Sequence, residues 1–134
     1  VFRKESARTS AQRSPEEEVL ELIDIARFIV DTIAGKMGSD ILLLDLSRVT
    51  LIADYFIIAT ADSERQIKAI ADDLVEQLRI NQGLTPLSIE GTPASGWVLV
   101  DYGSIVVHIF SEAQRNRYQL EGFWSDARTV VRIA

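Results

Sequence analysis

Three short runs, residues 41–44, 55–60 and 97–100, are apolar at successive rather than alternate positions, so each offers hydrophobic side chains to both faces of any strand it forms. Such strands belong inside a sheet that has neighbouring layers to pack on. A fourth run, 105–110, is equally rich in strand-forming residues, and Tyr102-Gly103 stands between it and the third as the turn of a hairpin. Pro86 to Glu90 reads as one more short strand, followed by a loop, 91–96, whose Gly and Pro residues block regular structure.

Helices are fewer. Ser14-Pro15-Glu16-Glu17 combines an N-cap, a proline at the first helical position and a glutamate three residues after the cap. From there Val19, Leu22, Ile23, Ala26, Ile29, Val30 and Ile33 form one apolar stripe that ends near Gly35. Ser63-Glu64-Arg65-Gln66 is a capping box, and Ile67, Ile70, Ala71, Leu74, Val75 and Leu78 carry a second stripe to about Asn81, before Gly83. Ser111-Glu112-Ala113-Gln114 opens a last helix carrying Tyr118 and Leu120. The order helix, two strands, helix, three strands, helix predicts an α/β fold: a mixed β-sheet of about five strands with flanking helices, parallel across the helical crossover and antiparallel in the hairpin. Three modest helices suffice to shield one side of such a sheet, which leaves Trp97 to Val100 divided between core and an apolar face for a partner.

At 134 residues and 47% hydrophobic, the chain suits one domain, assigned to 15–134. Residues 1–14 hold Arg3, Lys4, Arg8 and Arg13 against Glu5 and read as a disordered basic tail. The net charge is −6, and with the tail at +3 the remainder carries −9. An acidic body repels phosphate backbones and favours basic protein partners, so nucleic-acid contact is expected of the tail if anywhere. There is no cysteine, which excludes disulfides and thiolate chemistry, and a reducing, cytoplasmic setting fits, with an organellar origin left open. No apolar run reaches the length of a membrane span.

Candidate chemistry is sparse. His108, the single histidine, lies in a strand run with no partner in reach and reads as a core histidine. Asp40, Asp45 and Asp54 flank the first strands, but no Asp-x-Asp occurs, whereas two-metal phosphoryl transfer needs carboxylates converging on ions. No glycine pattern for phosphates stands at a strand-to-helix turn. Arg115, Arg117, Arg128 and Arg132 form either a basic patch or ordinary surface pairs. Neither a catalytic residue nor a cofactor or metal ligand is assigned.

Three segments resemble the ribosomal silencing factor (Iojap-like) family: 53–60 with Ser63-Glu64-Arg65-Gln66, then Glu90-Gly91 with Gly96-Trp97-Val98-Leu99-Val100-Asp101-Tyr102-Gly103, then Val107-His108-Ile109-Phe110. Tyr118-Gln119-Leu120-Glu121-Gly122-Phe123-Trp124 is similar to the family's closing element. Ala61-Asp62-Ser63 and Ser104 depart from the family's usual residues. The resemblance implies a fold related to nucleotidyltransferases without their catalytic carboxylates. It also implies a non-enzymatic role: binding the large ribosomal subunit through its fourteenth universal ribosomal protein and blocking subunit association, which represses translation. Trp97, Leu99 and Asp101, on one strand face, and Tyr102 at the adjoining turn are the expected partner-binding residues, Trp97 as anchor. A cryptic nucleotidyltransferase and a plain homodimeric assembly module are the alternatives.

Overall fold

The expected strands order themselves into a sheet of six, not five. The computed structural model describes residues 15–134, so the basic segment 1–14 and the Ser14 cap lie outside the described residues. In chain order the elements are α1 (Pro15–Gly35), β1 (Ser39–Asp45), β2 (Tyr55–Ala61), α2 (Glu64–Gln82), β3 (Ser88–Thr92), β4 (Trp97–Asp101), β5 (Ile105–Ser111), α3 (Glu112–Tyr118), α4 (Leu120–Phe123) and β6 (Arg128–Ile133). A 3₁₀ turn, Pro93–Ser95, joins β3 to β4.

The sheet runs β3-β4-β5-β2-β1-β6. β2 and β5 are its parallel pair, and the other neighbours are antiparallel. β1 and β2, whose connection the sequence left undefined, are thus a hairpin with a long loop. β6 is the strand missed from the sequence: Arg128-Thr129-Val130-Val131-Arg132-Ile133 pairs along β1 with a register shift between Leu43 and Leu44. Its two ends are exposed and each carries an arginine, Arg128 and Arg132, the ordinary protection of an edge strand.

The predicted two-faced burial is resolved into two layers. On one face α1 and α2 pack Ile29, Ile33, Ile67, Ile70 and Leu74 onto Ile41, Leu43, Ile57, Val100, Val107 and Ile109. Ser63 caps α2 by accepting from Gln66 N, and Gly83 ends it in the left-handed conformation. On the other face Leu42, Leu44, Phe56, Ile58, Val106 and Phe110 are buried, with Leu120 and Trp124 packed over them. The predicted last helix is broken at Gln119, whose φ is 47°, so that α3 and α4 turn across this second face instead of continuing straight. They cover only part of it.

Candidate partner-binding surface

The register of β3, β4 and β5 decides what the second face shows. Glu90 stands opposite Leu99, and Leu99 opposite His108; one row along, Thr92, Trp97 and Phe110 are aligned. Side chains in such rows share a face. Phe110 and His108 are buried under α3 and the neighbouring rings, whereas Trp97 and Leu99, nearer the open edge, are half-buried. They floor a groove of about 280 Å³ walled by Glu90, Ser95, Gln114 and Tyr118. Asp101 lies on the same face, half-exposed, its Oδ1 accepting from Gly103 N at 2.7 Å.

Trp97 therefore belongs to both worlds that the sequence left open. One side of its indole is packed, with ring centroids 4.9 Å from Phe110 and 4.8 Å from Tyr118. The same residue lines the groove. β3 approaches its backbone closely: Gly91, with φ of 79°, would put a Cβ 2.1 Å from the Trp97 carbonyl oxygen, so only glycine fits there.

His108 is 3% exposed. Its Nδ1 accepts from Trp97 Nε1 at 3.2 Å, and its ring centroid is 4.7 Å from Phe56. Burial among these apolar groups pushes its pKa down to about 4, against a weaker opposing pull from the Asp101 carboxylate. The unfolded chain takes up this proton below about pH 6.5 and the folded one only near pH 4, so stability tied to His108 is complete above that window and lost as pH falls through it. Between pH 7 and pH 5 the loss should be about 2 kcal/mol. Denaturant unfolding at both values, compared with a His108→Leu variant that lacks this component, measures it; equal pH dependence in the two proteins would refute the assignment.

Tyr102 does not join the surface expected for it. It packs against the helix-covered cluster on the opposite face, and burial pushes its phenol up to about 12. The turn that carries it reverses the chain, and the alternation that holds Asp101 to the second face sends the next side chain to the other. The arginines do not form a basic patch. Arg115 is 4% exposed: Nε donates to Glu121 Oε2 at 2.9 Å, and Nη1 donates to Thr60 Oγ1 at 2.9 Å and to the Asp40 carbonyl. Arg128 pairs with Asp45, Arg132 lies near Asp40, and Arg117 sits over the Tyr118 ring.

The closing element thereby acquires a structural meaning. Tyr118 packs at a tilt against Trp97, Leu120 and Trp124 pack on the sheet, and Glu121 holds Arg115. Sequence reasoning missed Arg115 because its partners at Asp40 and Thr60 are 75 and 55 positions away. Among the described residues, no helix is long and apolar enough to cross a membrane.

Comparison with known proteins agrees with this architecture. The family model described as "Ribosomal silencing factor during starvation" matches residues 19–133. A Bacillus subtilis (strain 168) protein, Ribosomal silencing factor RsfS, is 42% identical over 92 residues, which cover 69% of this chain and 77% of the relative. A crystal structure of a Chromobacterium violaceum protein superposes with a TM-score of 0.72 at 35% identity, covering 76% of this chain and 84% of that one. The mouse protein named Mitochondrial assembly of ribosomal large subunit protein 1 is 28% identical over 116 residues, or 85% of this chain and 50% of the mouse protein.

Proposed function

Because the chain belongs to the ribosomal silencing factor family, we propose that it restrains translation by binding the large ribosomal subunit and blocking its association with the small one. The family is a regulatory one that acts on ribosomes, and the mouse relative's name refers to the large subunit in particular. The observation that carries the reading is the half-open second face, where Trp97 and Leu99 expose apolar surface beside Glu90 and Asp101. Apolar centres edged by charge are what protein interfaces use, and the carboxylates suit a basic partner. The fourteenth universal ribosomal protein is the proposed partner, with residues 15–134 as the binding domain. Tyr102 is not part of the surface, since it packs on the other side of the sheet.

The protein acts by occupancy and not by catalysis. Its one histidine is buried and neutral, and two carboxylates of β1 pair with the fold's own groups: Asp45 accepts from Ser47 and Arg128, and the Asp40 carboxylate lies 3.7 Å from Arg115 and 3.9 Å from Arg132. It works wherever the ribosomes it meets reside, in the cytoplasm or in an organelle. If a second copy of the chain used the same face, self-association and ribosome binding would exclude one another.

Titrating the protein against the isolated fourteenth universal ribosomal protein tests the reading. Saturable binding is expected, with an association rate that falls as salt rises, because complementary charge speeds encounter and is screened over roughly 8–10 Å at ordinary ionic strength. No binding at low salt would refute the partner assignment.

A further inference from the structure

Trp97 has one polar atom, the indole Nε1–H, and the fold does not leave it to the partner. It donates to His108 Nδ1 at 3.2 Å. An imidazole that accepts at Nδ1 is neutral and carries its proton on Nε2, and burial among Phe56, Phe110 and the indole keeps it so. His108 is itself anchored at the middle of β5, opposite Leu99 on one side and Ile58 on the other. The acceptor is therefore fixed in the sheet, while the indole stands at the border between core and groove.

We infer that His108 is a positioning residue for partner binding: it holds Trp97 in one orientation by its only donor, so that the groove presents an indole face with no free N–H and selects an aliphatic or aromatic group of the partner. This rests on the proposed role of Trp97 as anchor. Tyr118 holds the ring from a second direction, with centroids 4.8 Å apart, but itself lies exposed on a seven-residue helix. A hydrogen bond to a buried acceptor fixed in the sheet restricts the ring where a tilted contact with an exposed tyrosine allows it to slide. An anchor held in its bound orientation loses less freedom on docking, which is how an internal contact raises affinity without touching the partner. The same bond decides specificity, since a partner that offers a buried hydrogen-bond acceptor to the indole finds no donor there and is left with an unpaired polar group.

The test uses the full chain, purified large ribosomal subunits and two substitutions. His108→Leu removes the acceptor but keeps an apolar side chain among apolar neighbours. His108→Asn returns an oxygen to the Nδ1 position, because both atoms are bonded to Cγ. In the parent the Trp97 indole proton, distinguished from that of Trp124 with a Trp97→Phe variant, should show the shift and slow exchange of a hydrogen-bonded donor. In His108→Leu that signal should move and exchange faster while the Trp124 signal stays, and the dissociation constant for large subunits should rise about tenfold. In His108→Asn both should return toward the parent. An unmoved Trp97 signal in His108→Leu, unaltered binding, or an Asn variant no better than the Leu variant would overturn the inference. If truncation of Trp97 itself left binding unchanged, the anchor would fail and the positioning role with it; if that truncation weakens binding and His108→Leu does not, the positioning role alone fails.

Discussion

Replacing Leu99 with lysine should weaken binding to the large subunit nearly a hundredfold while leaving the fold nearly as stable as before. Leu99 is half-buried in the floor of the groove, and its cross-strand neighbour is Glu90. Loss of its apolar contact in the complex removes about 1.5–2 kcal/mol, and a cation facing a basic partner adds repulsion, so the sum approaches the roughly 2.7 kcal/mol of a hundredfold change. The folded monomer is spared for two reasons. A lysine stem can cover the same apolar surface while its ammonium reaches the groove mouth, and it acquires an opposite charge directly across the ladder in Glu90. Thermal unfolding and subunit binding measured on one sample separate the effects. A variant that melts with the parent and still binds within threefold would remove the groove from the interface.

Replacing Arg115 with alanine should have the opposite profile, a large loss of stability with binding lost only as a consequence. Arg115 ties α3 to β1 through the Asp40 carbonyl, to the end of β2 through Thr60, and to α4 through Glu121. Alanine leaves these acceptors without their donor and opens a void under the α3–α4 turn. Removing one member of a buried ionic network costs about 3–5 kcal/mol, and the partial exposure of Glu121 and Asp40 places this case near the lower end. A domain of this size should then melt about 10 °C or more below the parent. Arg115→Lys should recover only part, because a single ammonium cannot serve three acceptors in different directions as a planar guanidinium does. A shift of less than about 3 °C in the alanine variant would show that α3 and α4 are held by packing alone.

The contrast between these two positions also shows what could be seen in the chain beforehand. Runs apolar on both faces, capping boxes at Ser63 and Ser111 and glycine at position 83 are local signals, and the elements they predict are present with boundaries shifted by a residue or two. The face shared by Trp97, Leu99 and Asp101 followed from the two-residue period of a strand, which tertiary structure does not alter. Tyr102 was misplaced because Tyr102-Gly103 reads as the turn, whereas Tyr102 continues the β4 alternation one residue further, its N donating to the Ile105 carbonyl. β6 escaped because Thr129, Val130 and Val131 are bracketed by Arg128 and Arg132, which weighed as surface charge although an edge strand carries such residues routinely. Arg115 could not have been foreseen at all: its burial is produced by the left-handed turn at Gln119 and by acceptors on β1 and β2, neither of which leaves a trace in the residues around it. The broken last helix, which brings Leu120 and Trp124 over the sheet, explains why the second face is partly rather than wholly open.

Subunit joining tests the central claim most directly. Purified large and small ribosomal subunits are mixed at a magnesium concentration that permits association, with and without a molar excess of the protein, and separated on a sucrose gradient. The account predicts that the protein travels with the large subunit, is absent from the small one, and converts the joined-ribosome peak into separate subunits, whereas the Leu99→Lys variant does neither. Protein that travels with the small subunit, or joining that proceeds undiminished with the large subunit saturated, would contradict it.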